Sequence, residues 1–580
     1  MNIGRRRARG SEPMGQCFNR RRPGLLRSAV AALIAVAWAA GAAGQTGRAP
    51  RQLVPSVLAS STPDVVRFLE QATFGPTDAL VAHVQAVGFA AYLDEQFGAA
   101  VSSYPNLPPA PLKAQDGCPA GSPPTCYRDN YTMYPLQVAF FNNALANDDQ
   151  LRQRVALALH EILVVSGLKV QQPSSVAPYL NLLLRDAFAN YRTILQDVTL
   201  NAAMGHYLDM VNNDTAKPPS NTSPNENYAR EVMQLFSTGV SMLNPDGSPV
   251  LDGSGAPVPT YTQDTIEGFA HVFTGWTYAP APGVASRQHN PPYFLAPMVL
   301  YRNAAGMDVN HDKGSKMLLT YPRAMYPVLP AGQDGDTDLS EALDNIFYHP
   351  NVGPFIGKQL IQHLVTSNPS PAYVTRVAQA FDDNGSGVRG DMRAVLTAIL
   401  LDPEARGAVK DDPGYGRLRE PVLFITNVCR AMGAASDGIL AGQAKAMGQD
   451  LFYSPSVFSY YPHAYEVPGT QLQGPEFGIQ SSLAAESRVN FVNALAFSKI
   501  RSPAPSPGTS VSFTGLAASA SNPAALIAVL DQLFLHGTMS GDMQAAITQA
   551  VSAIPSSNAL LRAQTAFYLV ASSSQYQVAR

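Results

Sequence analysis

Charge and the usual signatures of catalysis are both scarce in this chain. Asp, Glu, Lys and Arg make up only 14% of the 580 residues, and there are 4 cysteines and 2 tryptophans. No G-x-S-x-G elbow, P-loop or strand-bound dinucleotide fingerprint occurs, which argues against a serine hydrolase of the usual type and against nucleotide cofactors. No Lys/Arg-rich stripe occurs, strand signals are few, and no internal repeat recurs at a fixed period. The longest apolar run near the start, Ala29 to Ala40, is too short to span a membrane as a stable anchor.

That short run reads instead as the core of a leader. Eight arginines (Arg5, Arg6, Arg7, Arg9, Arg20, Arg21, Arg22 and Arg27) precede it, and Ala42 and Gly44 occupy the two positions a signal peptidase reads for a cut before Gln45. Residues 1–44 are therefore expected to be a signal peptide, with no transmembrane anchor after processing and a periplasmic or extracellular destination. Pro23-Gly24 follow Arg21-Arg22 where a twin-arginine signal carries a bulky apolar residue, so the route stays open. The leader holds eight arginines against one acid, Glu12, so a total of −3 leaves the mature chain near −10. Such a surface repels nucleic acid and anionic lipid.

Cys17 leaves with the leader. In an oxidising compartment Cys118 and Cys126, in CPAGSPPTC, are expected to close a small disulfide loop, and Cys429 reads as a buried free thiol. Neither spacing nor nearby histidines supply a metal site there.

Apolar periodicity of the helical kind predicts a mainly α fold. Helices are expected at 64–73, 77–97, 135–147, 149–166, 176–188, 191–204, 225–238 and 263–275, then at 339–348, 353–366, 371–382, 391–401, 418–432, 478–499, 523–536, 540–553 and 558–572. Residues 45–62 read as a flexible lead-in, 63–500 as the main domain, 501–522 as a linker and 523–580 as a helical C-terminal appendage. Turn formers at Asn244–Gly247 and Asp252-Gly253 predict a small β-hairpin insertion, followed by a Pro/Gly-rich loop, together covering 240–335. Loops this long usually line sites.

Eight segments, taken in order, resemble one family. They are FLEQATFGPT (68–77), PNENYAREVMQLFSTGV (224–240), FTGWTY (273–278), HDKGSKMLL (311–319), HPNVGPFIGKQLIQHLVTSNPSP (349–371), NGSGVRGDMRAVLTAILLDPEAR (384–406), REPVLFITNVCRAMG (419–433) and SPSVFSYYPHAYEVPG (454–469). Together they resemble the bacterial domain-of-unknown-function family 1800. The resemblance implies an exported protein, often encoded beside a secreted protein like the alkaline phosphatases and sulfatases (domain of unknown function 1501). It implies no activity and no cofactor.

The residues that can carry chemistry gather around the second of these segments. Ser223, Pro224 and Glu226 read as a capping box with proline at the first helical position. Asn227, Arg230, Glu231 and Gln234 then fall at i, i+3, i+4 and i+7 on one face, suited either to a buried network or to a sugar-like ligand. His311, Asp312 and Lys316 place a base, an acid and a cation in one loop. Trp276 is a core anchor or a stacking platform. Asp308, Asn310 and Asp312 imitate a calcium loop but lack its glycine and closing acid, and Asp382, Asn384, Ser386 and Gly387 fail similarly at Arg393. Glu267 and His271 stand at i, i+4 on a helix side shared with Asp264 and Thr274, and a metal there is not expected. His160-Glu161 lacks the second histidine of a zinc helix, Val164 standing in its place, and reads as a satisfied core pair. His206 and Asp209 are placed near the same cleft.

Two function classes follow. One is an enzyme acting on an extracellular polymer such as polysaccharide, with Glu231, His311 and Asp312 as catalytic groups and Asn227, Arg230, Gln234, Trp276 and Lys316 binding substrate. The other is a non-catalytic partner or assembly factor for the phosphatase/sulfatase-like neighbour.

Overall fold

The helix Gln150–Ile162 sets the architecture, because all of its residues are buried although it carries Arg152, Arg154, His160 and Glu161. A helix enclosed on every side belongs at the centre of a fold, and its charged groups must find partners inside. In this computed structural model the described residues are 61–109, 111, 117–216, 223–412 and 414–580. The expected leader and nearly all of the lead-in lie outside them. Half of the chain is helical, and the sheets are small and two-stranded, so the expected mainly α class holds. No helix among the described residues is long and apolar enough to cross a membrane.

Most helix boundaries follow local chemistry. Pro371–Asp382 starts at a proline, with Ser370 accepting from the N–H of Tyr373, and Pro523–Phe534 starts the same way behind Asn522. The expected helix 77–97 is two helices, Asp78–Val87 and Phe89–Gly98, because Gly88 turns the chain at φ 86°. The capping box is also corrected. The helix begins at Asn227, Glu226 is its N-cap without a side-chain cap bond, and the N–H of Asn227 is held by Asn225 Oδ1 at 2.8 Å. The Glu226 carboxylate instead accepts from Arg230 at 3.0 Å and Gln263 at 3.0 Å.

The small hairpin expected near 244–253 is a set of isolated bridges, and the two-stranded pairs lie further on, in the segment read as a loop. Residues 240–260 meander through isolated bridges such as Ser241 with Pro259 and Leu243 with Pro249. Antiparallel pairs then join Trp276–Thr277 to Val299–Leu300 and Lys316–Met317 to Val328–Leu329. Within 501–522 the segment Thr514–Ser519 is helical, and Ser510 bridges Ala435. The strand Val578–Ala579 pairs with Arg417–Leu418, and His536 binds Glu70 at 2.9 Å. The described residues belong to one unit. Cys118 and Cys126 are disulfide-bonded, and Cys429 is a buried free thiol.

Candidate functional site

The structure connects the predicted 276 turn and 311 loop through backbone and side-chain bonds. Gly275, at φ 87°, brings the chain against His311, where a Cβ would meet the His311 backbone at 2.9 Å. Thr274 Oγ1 accepts from the N–H of Asp312 at 2.8 Å, and the Thr274 carbonyl lies 3.0 Å from His311 Nδ1. Asn213 ties this turn to the start of the Asn227 helix, giving its carbonyl to the N–H of Gly275 and its Oδ1 to the N–H of Asn225.

Several of the predicted groups are engaged inside the fold. His311 and Lys316 are each 2% exposed. His311 Nε2 lies 2.9 Å from Asp338. The Lys316 ammonium meets Asp338 at 2.7 Å and the carbonyls of Asp312 and Gly314 at 2.8 and 2.9 Å, so its three protons have three acceptors. Asp312 accepts from Thr215 at 2.9 Å and stands 3.0 Å from His271, whose imidazole holds the carboxyl well below the usual range. Trp276 is buried with its Nε1 unpartnered.

On the helix Asn227–Gln234 the polar face divides. Asn227 donates to Asp209 at 3.1 Å, Arg230 is half-exposed, and Gln234 Oε1 accepts from Tyr261 at 3.4 Å. Glu231 is buried, its Oε2 has no partner, and burial raises its carboxyl. His206 Nδ1 lies 3.0 Å from the Tyr278 hydroxyl. Among the described residues no group of three His, Cys, Asp or Glu is placed to hold a metal.

A second concentration of ionisable groups lies deeper and was not anticipated. Arg154 and Glu161, seven positions apart on the central helix, share a face. Glu161 Oε1 accepts from Gln449 Nε2 at 3.0 Å, and the same amide donates to Glu420 Oε2 at 2.8 Å. The Gln449 carbonyl is fixed by the N–H of Val422 at 2.9 Å, so the amide cannot flip without losing a bond. Glu420 stands at the N-cap of the helix Pro421–Ala431 and also accepts from the Tyr461 hydroxyl at 3.1 Å. Arg417 reaches Glu476 at 2.9 Å and Glu420 at 3.4 Å, and donates to the His363 carbonyl. Arg154 donates to that carbonyl at 2.8 Å. The expectation of a satisfied core pair at 160–161 is therefore corrected, since His160 Nε2 and Glu161 Oε2 both lack hydrogen-bond partners.

Electrostatics separate the two glutamates. Burial, reinforced by the charge of Glu420, pushes the Glu161 carboxyl well above its ordinary value. Burial acts the same way on Glu420, but Arg417 and Arg154 outweigh it and hold that carboxyl at about 2. With the two carboxyls joined through the Gln449 amide, their opposite shifts leave the proton on Glu161. His363 Nδ1 lies 3.3 Å from Glu161 Oε2, and burial and Arg417 hold its imidazole neutral, down to about 3.

These groups meet a cavity of about 30 Å³ whose wall includes Glu161, Gln362, His363, Ser459, Tyr461 and Glu476. That is room for one or two waters or a hydroxyl group. Glu161 Oε2, Gln362 Oε1 and Ser459 Oγ are buried and unpartnered in its wall, and Ser459 holds a left-handed backbone at φ 59°. Phe458, also in the wall, is 42% exposed. A neutral acid, an ionised carboxylate and a neutral imidazole with unused polar atoms form an arrangement competent for proton transfer.

The sequence profile described as "Protein of unknown function (DUF1800)" matches residues 67–578. The chain belongs to that family. No curated protein and no solved structure was found to match it. The DUF1800 match spans both the predicted groups and the deeper cluster, so it does not choose between them. The signal for the cluster in this DUF1800 chain was the presence of Arg154 and Glu161 in the otherwise apolar helix QLRQRVALALHEI. Charges in such a helix require buried partners, and Arg417, Glu420 and Glu476 were available to supply them.

Proposed function

We propose that the chain is an exported enzyme of acid–base type, acting at the Glu161 cavity on an extracellular polymer such as polysaccharide. One observation carries this reading: a carboxyl that keeps its proton borders a cavity with three unpartnered polar atoms, backed by a carboxylate that does not. Glu161 gives its proton to the leaving oxygen of the bond that breaks, the water that adds to the other fragment returns a proton to Glu161, and Glu420 stays ionised beside it while neutral His363 accepts a hydrogen bond in the cavity. A space of about 30 Å³ admits a single oxygen-bearing group and not a sugar ring, so the rest of the polymer stays outside, against Phe458. The saturation of Lys316 and the burial of His311 and Trp276 support placing the chemistry here and not at the Glu231, His311 and Asp312 constellation. Asn227, Arg230 and Gln234 remain the candidate outer contacts for hydroxyl groups, on the helix that ends beside the cavity residue Leu235.

The test is release of new chain ends from a panel of neutral and acidic polysaccharides by the full-length secreted protein. Glu161→Gln keeps shape and hydrogen-bonding capacity but removes the transferable proton, and is expected to lower the rate about 10²-fold or more. A folded Glu161→Gln protein with undiminished activity sinks the proposal, as does a panel on which the wild-type protein does nothing.

A second reading has its own support. The hairpin Lys316–Met317 with Val328–Leu329 sets Met317 opposite Val328, 57% and 53% exposed, with Met325 and Tyr326 beside them. An apolar patch on a rigid hairpin suits a protein contact. The partner in this reading is the secreted phosphatase/sulfatase-like protein of family 1501. Co-purification that Met317→Glu leaves untouched, or that never occurs, counts against it.

A further inference from the structure

Beside the acid pair lies a second cavity of about 20 Å³, walled by Arg154, Arg417, Arg419 and Arg580, with Glu70, Gln71, Thr73 and Asn427 completing the polar lining. Its volume matches one or two water-sized particles. The first three arginines are 1%, 3% and 4% exposed. Arg417 is paired with Glu476 and Glu420, and Arg419 with Glu70 at 3.0 Å. Glu70 is shared further with His536 at 2.9 Å.

Arg154 differs from both. Its side chain donates to one backbone carbonyl, that of His363, its Nε has no partner, and among the described residues no carboxylate lies within ion-pair distance of it. Burial and the like charge of Arg417 work against its charged form, and Glu420, acting from beyond contact, offsets them only in part. A buried guanidinium with no carboxylate against it is among the costliest arrangements a fold can hold. Glu70 Oε1 and Gln71 Oε1, also unpartnered, make water the competing occupant. Water can satisfy those two acceptors and the Arg154 N–H, but it brings no negative charge to Arg154, the guanidinium here that no carboxylate touches.

We propose that this cavity binds a small monovalent anion of chloride size, held by Arg154 together with Arg417 and Arg419. Arg154 and Arg417 are also the cations that keep Glu420 ionised. Occupancy of the site weakens their hold and raises the proton affinity of the acid pair, so halide concentration sets the acid limb of any reaction there. This consequence rests on the acid–base reading of Glu161, whereas the site itself does not.

The test uses the whole protein and no activity. Crystals grown or soaked in sodium bromide are expected to show an anomalous peak among the three guanidiniums. The unfolding temperature, followed as chloride replaces gluconate at fixed ionic strength, is expected to rise by about 2–4 °C and then saturate. Arg154→Met, which keeps bulk without charge, is expected to remove both responses. Should that variant fail to fold, the wild-type bromide map and chloride series still decide. No peak in the cavity, a peak without a saturating shift (binding at crystal concentration only), or a shift with the peak elsewhere each overturns the proposal.

Discussion

The two polar regions of this protein are built from similar residues and behave differently. Around the 227–234 helix and the 311 loop, cations and anions lie close in sequence and neutralise one another locally: Arg230 with Glu226, Lys313 with Asp308, and Lys316 with the carbonyls of its own loop. Around Glu161, six separate segments contribute the groups, and one amide bridges two carboxyls that titrate in opposite directions. Local pairing uses up hydrogen-bonding capacity, while the convergence around the Glu161 cavity leaves some unspent. Unpartnered atoms occur in both, Glu231 Oε2 and Trp276 Nε1 in the first, but those of Glu161, Gln362 and Ser459 belong to residues that line one cavity.

The comparison is broken most forcefully at Glu420. Glu420→Ala leaves Arg417 with Glu476 alone, removes the charge that acts through space on Arg154, and is expected to cost about 3–5 kcal/mol or to prevent folding, read by urea denaturation. A loss no larger than that of a surface variant would show that the deep cluster is not an electrostatic unit.

Next in size is a pH effect with a definite sign. The unfolded chain ionises Glu161 near the ordinary value of 4.5, whereas the folded protein keeps the proton to a higher pH. The folded state therefore binds more protons above about pH 4.5, and wild-type stability falls there by about 1.4 kcal/mol per pH unit until the folded carboxyl itself ionises. Glu161→Gln has no such slope, so its urea midpoint is expected to gain on the wild type as pH rises above about 4.5. Glu420 works oppositely. Its stabilisation is present above about 4.5 and is lost as pH falls toward about 2, and this acid limb should survive in Glu161→Gln.

A smaller loss, about 2 kcal/mol, is expected from Cys118→Ser with Cys126→Ser, because the bond closes only a short loop. Thermal unfolding with and without reductant measures it. The smallest effect belongs to Arg230→Ala, whose partly exposed pair with Glu226 is expected to contribute about 0–1 kcal/mol. A cost above that in the same urea assay would place Arg230 among the tightly coupled groups.

Periodicity and capping made the helices legible, and their errors are local. Gly88 divides one expected helix because a left-handed residue cannot continue it, and Glu226 is drawn away from its cap by Arg230 and Gln263. The deep cluster was legible only as an oddity, two charges in an apolar helix. Periodicity reports which residues share a helix face. It carries no information on which distant segments, here those of His363, Glu420, Gln449 and Glu476, will face that helix. His160-Glu161 drew notice as an incomplete zinc motif, a comparison that directed attention to a missing ligand and away from Arg154 one turn and more upstream. The long loop is expected to line a site, yet none of its residues lines the Glu161 cavity, whose wall includes the 457–463 segment; there Ser459, like nearby Phe452, adopts backbone angles that composition does not announce.

The pairing of Arg417–Leu418 with Val578–Ala579 bears on how the molecule assembles. Glu161 leaves the ribosome long before the strand that steadies Arg417, so for much of synthesis the central helix carries charges whose partners do not yet exist. Contacts of such span are slow to form, and the helices made first must wait, only partly packed, for a late closing stitch.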